Sequence, residues 1–109
     1  MANGITNLTS ATFDETVNGS SAPVLVDFWA EWCMPCRALG PTIDELATDY
    51  AAKAKVGKLN TENSPSIGPR YNVQAIPTIL LFKGGEVVQK FVGVTGTKDL
   101  AAAIDGALG

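Results

Sequence analysis

The segment 23–30, PVLVDFWA, constrains the fold more than any other part of the sequence. Its apolar and β-branched residues fall on both faces of a strand, so a sheet that contains it must be covered on both sides. A helix is predicted next, over 35–50, and another strand over 55–60. The apolar positions of that helix are Leu39, Ile43, Leu46 and Ala47. Because a β-α-β order requires a crossover, the two strands are predicted to pair in parallel.

The second half of the chain predicts an antiparallel hairpin. Two β-rich runs, 78–82 and 87–92, are joined by the turn 83–86, KGGE, and a Gly-Gly turn favours a hairpin. A short helix is predicted over 63–71, and a last helix is predicted to have Thr97 as its N-cap.

Near the amino terminus, Thr12 and Glu15 have the spacing of a capping box and predict the first helix. The predicted order is therefore β-α-β-α-β-α-β-β-α. Parallel and antiparallel pairing together require a mixed sheet, so we predict an α/β fold with about five strands and about four flanking helices.

Length and composition limit the possible functions. The chain has 109 residues and no repeat or linker, so we expect a single domain over 1–109. A net charge of −3 argues against binding to nucleic acid. The absence of histidine excludes histidine general bases and histidine metal ligands.

The segment 1–7, MANGITN, lacks the charged start and apolar core of a secretory signal. No apolar run approaches the roughly 20 residues of a membrane helix. We expect a cytoplasmic protein that does not bind membranes, although a mature exported form with a new Met1 would look the same.

The two cysteines, Cys33 and Cys36, lie three residues apart. A disulfide between them would close too short a loop to stabilise the fold appreciably. Zinc would need further cysteines or histidines, and the sequence has neither. This spacing at a strand-to-helix junction therefore indicates a redox pair, with two buried core cysteines as the alternative.

The predicted geometry gives the two cysteines different roles. Cys33 falls at the amino terminus of the predicted helix, where unpaired N–H groups and the helix dipole favour a thiolate. Cys36 lies one turn further along and is expected to be less exposed. Cys33 would attack a target disulfide, and Cys36 would then displace the product. Pro35 is tolerated in a first helical turn.

Several segments resemble the thioredoxin family, in order and spacing and over essentially the whole chain. They are 24–33 (VLVDFWAEWC), 35–37 (PCR), 58–60 (KLN), 76–78 (IPT) and Gly93. The similarity to bacterial-type members implies a thioredoxin fold and a redox-active Cys33–Cys36 disulfide. It also implies a monomeric protein-disulfide reductase that serves electron transport and cell redox homeostasis. A separate thioredoxin reductase would recharge it, because no Gly-x-Gly-x-x-Gly segment is present to hold a dinucleotide. No cofactor or metal is expected.

The resemblance also implies roles for two charged residues. Asp27 would accept the proton of Cys36, which fits the raised pKa of a buried carboxyl. Lys58 would offset the charge of Asp27. A solvent-reaching carboxylate and a solvated lysine are the alternatives.

A docking surface for target proteins is likewise implied by the resemblance. Pro77 is expected to follow a cis peptide bond, beside the disulfide. The Ile76 backbone would pair with an extended target segment. Trp32, Gly93 and Val94 would complete the apolar surface, with Gly93 allowing close approach of a target backbone.

The sequence departs from the family pattern between the cysteines, where Met34 replaces the usual Gly. Met34 and Pro35 are expected to tune the reduction potential, in a direction that the sequence does not reveal. Gln74-Ala75 is a less usual pair before Ile76, and Arg37 replaces a common Lys.

Three other functions compete with a reductase. An oxidant or isomerase would share the fold and differ in the reduction potential of its cysteines. A binding module without turnover would not need either thiol. Metal binding would require stoichiometric zinc.

Overall fold

The computed structural model describes residues 4–109. Within them, five strands and four helices follow in the predicted order. They are β1 (Ile5–Leu8), α1 (Phe13–Asn18), β2 (Val24–Trp29), α2 (Met34–Asp49), β3 (Lys55–Asn60), α3 (Ile67–Arg70), β4 (Thr78–Lys83), β5 (Glu86–Val92) and α4 (Thr97–Leu108). Residues 1–3, part of the segment used to argue against a signal peptide, lie outside this description.

The strands form a mixed sheet in the order β1-β3-β2-β4-β5. β2 lies at its centre, parallel to β3 and antiparallel to β4. This arrangement confirms the predicted α/β fold, because the β-α-β segment and the hairpin each have the pairing that their connections require.

Side chains alternate along β2 between two hydrophobic layers. Leu25 packs with α2 and α4, whereas Val26 and Phe28 pack with residues of α1 and α3. Asp27 shares the face of Leu25, so its carboxyl is directed toward the layer that contains α2. The sheet is therefore covered on both sides, as the segment 23–30 predicts.

The hairpin turn depends on two glycines. Gly84 and Gly85 have φ values of +61° and +83°, which are the left-handed angles of a type I′ turn. The ladder between β4 and β5 then changes register between Leu81 and Phe82. This irregularity leaves the pairing of Thr78, at the site end of β4, with Val92 intact.

One predicted helix cap is wrong, and another lacks its expected hydrogen bond. Thr12 is the N-cap residue of α1, but its backbone is helical and its hydroxyl oxygen accepts a hydrogen bond from the Thr9 N–H, so its side chain does not cap the helix. Gly96, with an extended backbone, is the N-cap of α4. Thr97 is already helical, and its hydroxyl donates to Glu45 at 3.4 Å. A capping side chain needs an extended backbone to reach the free amides, and neither threonine has one.

Two further expectations concern helix length. The helix predicted over 63–71 is shorter and spans only Ile67–Arg70. α2 spans Met34–Asp49, within one residue of the predicted 35–50 at each end, and it continues through Pro41.

The aromatic cluster around Phe13 provides a test of this packing. Phe13 is fully buried, with its ring centroid 5.6 Å from those of Tyr71 and Phe82. We expect Phe13→Ala to lower the free energy of unfolding by about 3–5 kcal/mol, measured by urea denaturation. The exposed Val88→Ala variant is the control and should lose less than about 1 kcal/mol. A loss for Phe13→Ala no larger than that of the control would contradict the packing.

Candidate active site at the carboxyl end of β2

A disulfide joins Cys33 and Cys36 at the junction between β2 and α2. Cys33 is the N-cap of α2 and has an extended backbone, while Cys36 lies within the first turn. The Cys33 N–H donates to the Ala30 carbonyl oxygen at 3.2 Å, which closes the connection after the strand. The cysteine pair therefore lies where the central strand ends and the longest helix begins.

Backbone dipoles at this helix start favour negative charge on Cys33. The Cys36 N–H donates to the Cys33 sulfur at 3.3 Å, and it is one of the amides that a helix start leaves without a helical partner. In the reduced protein the same amide and the α2 dipole would stabilise a thiolate at Cys33.

Both cysteine residues are buried in the disulfide form. Cys33 is 4% exposed and Cys36 is 3% exposed, so the expected contrast between them is small in this state. Trp29 and Ile76 pack against the cluster that the cysteines form with Ala30. The Cys33 sulfur lies 3.8 Å from the Ile76 carbonyl oxygen, which places the backbone of the segment before β4 beside the atom that a target must reach.

Asp27 is a buried carboxyl on the central strand β2. It is 1% exposed, and neither of its oxygens accepts a hydrogen bond from residues 4–109. Burial disfavours the charged form and raises the pKa of Asp27 to about 7, although the charge of Lys58 acts in the opposite direction. Cys36 and Leu39 are buried positions of α2, and Asp27 is directed toward the same layer.

Lys58 lies opposite Asp27 in the pairing of β2 with β3. Its ammonium group is 4.7 Å from the centroid of the Trp29 ring, within the range of a cation–π contact. In the described structure Lys58 forms no ion pair with Asp27. Its effect on the carboxyl is therefore an electrostatic influence across the strand pair.

The predicted docking residues lie in segments that meet at the disulfide. The Ile76–Pro77 peptide bond is cis, as expected. The Gly93 N–H donates to the Pro77 carbonyl oxygen at 2.8 Å, which ties the segment after β5 to the segment before β4. Gly93 has a φ of +92°, and a Cβ built there would meet no atom within 4 Å, so its surroundings are open. Val94 follows it and is exposed.

Trp32 and Met34 are the prominent exposed side chains beside Cys33. They are 66% and 75% exposed, respectively. The Trp32 indole N–H donates to Glu62 at 2.7 Å, and this hydrogen bond orients the exposed ring. Pro35 is exposed in the first turn of α2.

Sequence reasoning missed Glu62 and the groove that Trp32 borders. Glu62 belongs to no motif and lies 30 residues from its partner. The groove has a volume of about 260 Å³ and also reaches Ile76. Its remaining lining residues are uncharged, and they are Thr61, Pro65, Gly68, Pro69, Val73, Gln74 and Ala75. Only the proximity of these segments in the fold reveals it.

Two other features of residues 4–109 bear on function. No group of three or more His, Cys, Asp or Glu side chains in this range is placed to hold a metal ion. None of the helices described there is both long enough and apolar enough to cross a membrane.

Comparison with known proteins agrees with the site. The family model for Thioredoxin matches residues 4–106. The thioredoxin of Pseudomonas aeruginosa is 46% identical over 105 residues, which cover 96% of this chain and 97% of that protein. Thioredoxin 1 of Synechococcus elongatus is 46% identical over 98 residues, 90% of this chain and 92% of the relative.

A chloroplast protein is also similar. Thioredoxin M5 of Oryza sativa is 50% identical over 93 residues, 85% of this chain and 54% of that longer protein. The profile match and these identities extend over nearly the whole chain and include the helix start that carries the disulfide. The chain belongs to the thioredoxin family and is a thiol–disulfide oxidoreductase.

Proposed function

We propose that this chain reduces disulfides in other proteins through Cys33 and Cys36. The Cys33 thiolate attacks a target sulfur, forms a mixed disulfide and releases the other target sulfur as a thiolate. Cys36 then attacks Cys33, which forms the intramolecular disulfide and releases the second target sulfur. The two electrons gained by the target come from the dithiol. The observation that carries this proposal is the Cys33–Cys36 disulfide at the start of α2.

Asp27 is proposed to accept the proton of Cys36. A base for this step needs a pKa near the working pH, and the pKa of Asp27 is about 7. Cys36 is a buried residue of α2, and Asp27 lies on the face of β2 that packs against α2 through Leu25. We assign Lys58 to offset the carboxylate charge after proton transfer, consistent with its electrostatic effect on Asp27.

Targets are proposed to dock on the apolar surface around Cys33. The Ile76 carbonyl oxygen, 3.8 Å from the Cys33 sulfur, is available to an extended target backbone. Pro77 and Gly93 shape this edge through their 2.8 Å hydrogen bond. Trp32 and Val94 add exposed apolar area. Such a surface suits many targets, because backbone pairing and apolar contact do not depend on one side-chain sequence.

The remaining proposals concern the reduction potential of the cysteine pair, its return to the dithiol form and the cellular setting of the protein. Met34 and Pro35 occupy the first turn of α2, and we propose that they tune the reduction potential through the helix start. A separate reductase would return the disulfide to the dithiol. We further propose that the protein works as a cytoplasmic monomer, as a single domain over 1–109, and that it binds neither nucleic acid nor membranes.

The two cysteine roles are separable by substitution. We expect Cys33→Ser to lower the rate of insulin disulfide reduction by at least about 10³-fold, because the attacking thiolate is lost. Cys36→Ser should instead accumulate a covalent adduct with the target, because the mixed disulfide cannot be resolved. Non-reducing electrophoresis and intact mass measure the adduct. Accumulation with Cys33→Ser would reverse the roles, and full activity of the double variant would favour a binding module.

Because Asp27 is buried, we expect the difference in free energy of unfolding between the native protein and Asp27→Asn to change with pH. The pKa of its carboxyl rises from the ordinary value of 3.8 to about 7 on folding, so the native state keeps a proton that the unfolded chain releases. The stabilising contribution is present below about pH 4 and is lost as the pH rises through 7. Between about pH 4 and pH 8, the native protein should lose about 4 kcal/mol of unfolding free energy relative to Asp27→Asn.

Urea denaturation of both proteins at the two pH values measures this difference, and groups that titrate in both proteins cancel. Asp44→Asn, at an exposed position of α2, is the matched control and should differ from the native protein by less than about 0.5 kcal/mol at each pH. Parallel pH profiles for the native protein and Asp27→Asn would show that Asp27 is not the buried acid proposed.

A further inference from the structure

Met34 is the most exposed large apolar side chain among residues 4–109, at 75%. It belongs to none of the hydrophobic clusters found in this range. Its thioether is therefore open to solvent, and a change in its polarity would not disturb the core. This position contrasts with that of Leu39, which α2 buries completely.

The location of Met34 connects this exposure to docking. It lies directly after Cys33 and two residues after Trp32. Because Cys33 as a whole is only 4% exposed, a target protein that brings its own sulfur to Cys33 must cover these neighbours. The Met34 side chain would then lie beneath the bound target.

We propose that Met34 is a site of reversible oxidation by hydrogen peroxide and that its sulfoxide weakens the docking of protein disulfides at Cys33. The inference rests on the proposed reductase function, because it concerns the surface that the targets cover. It deepens that function by adding a modification that acts on target binding, separately from the cysteine chemistry.

The oxidation step is balanced by the peroxide alone. The thioether sulfur attacks one peroxide oxygen, an S–O bond forms and the O–O bond breaks. The other oxygen leaves as hydroxide and takes up the proton of the transferred oxygen to form water, so the sulfur loses two electrons and the peroxide gains them. A methionine sulfoxide reductase reverses the change with two electrons from a dithiol, and the oxygen is released as water.

The redox state of the cysteine pair determines when hydrogen peroxide reacts with Met34 instead of with a cysteine. In the dithiol form the Cys33 thiolate competes for peroxide. In the disulfide form both cysteines are bonded to each other, and within residues 4–109 no free thiol remains. We therefore expect Met34 sulfoxide to accumulate when peroxide is present and the supply of reducing electrons has failed.

The effect on docking follows from hydrogen bonding. A sulfoxide oxygen is a strong acceptor, and a bound target would remove it from water without a matched donor. A target with extended apolar contacts incurs this desolvation cost, whereas a small disulfide that does not cover Met34 avoids most of it. We expect a roughly tenfold increase in KM for a protein disulfide, which corresponds to about 1.4 kcal/mol.

The test begins with the full chain in its disulfide form. Limited hydrogen peroxide is applied and removed, and peptide mapping locates the added oxygen at Met34 or at Met1. Dithiothreitol then restores the dithiol. KM and kcat are measured with insulin and with oxidised glutathione, before and after treatment and again after methionine sulfoxide reductase.

The proposal expects oxidation at Met34, a roughly tenfold higher KM for insulin, a change of less than about twofold for glutathione, and recovery by the sulfoxide reductase. Met34→Leu keeps an apolar side chain that peroxide does not convert, so each of its kinetic constants should be the same before and after treatment, whatever its starting value. This variant also retains Met1 and therefore controls for oxidation there.

The inference would be overturned by failure of Met34 to oxidise in the disulfide form, by an unchanged KM for insulin, or by an equal increase in KM for glutathione. A loss in Met34→Leu as large as in the native protein would assign the effect to another residue and would also overturn it. Failure of the untreated protein to reduce insulin would instead refute the proposed function, so the two failures are distinguishable.

Discussion

Burial of β2 on both faces is the constraint on which the site depends. The strand lies between β3 and β4 at the centre of the sheet, and its side chains fill two separate hydrophobic layers. A strand fixed in this way leaves little freedom to the helix that follows it. The start of α2, and with it Cys33, is therefore held where the carboxyl end of the strand leaves the core.

The same central strand contains the residue of the site whose burial is most unfavourable for folding, Asp27. Asp27 occupies a position in a layer that is otherwise formed by apolar residues such as Leu25 and Ile79. Neither of its oxygens is hydrogen bonded to a residue of the described range. Burial of an unpaired carboxylate is unfavourable, so the group retains its proton up to about neutral pH. Burial thus both destabilises the fold in which Asp27 is ionised and gives this carboxyl the near-neutral pKa on which its proposed role as proton acceptor rests.

Local signals explain how much could be predicted from the sequence. The apolar run of β2, the helical stripe of α2 and the Gly84-Gly85 turn each act over a few residues, and all three are present as predicted. The side-chain cap expected at Thr12 does not form, and the N-cap of α4 is Gly96 instead of Thr97, because capping depends on backbone angles that residue type does not determine. The contact of Trp32 with Glu62 spans 30 residues and exists only after folding.

The site combines a covered reactive sulfur with an exposed apolar surface, and these two properties depend on each other. Ile76 and Trp29 pack against the cysteine cluster, and the exposed apolar side chains beside it, chiefly Trp32 and Met34, are the ones we propose for target recognition. Exposed apolar side chains can adapt to different targets. The thioether at Met34 makes that adaptable surface chemically reactive as well, so at this site the breadth of target recognition and the sensitivity to oxidation have the same origin.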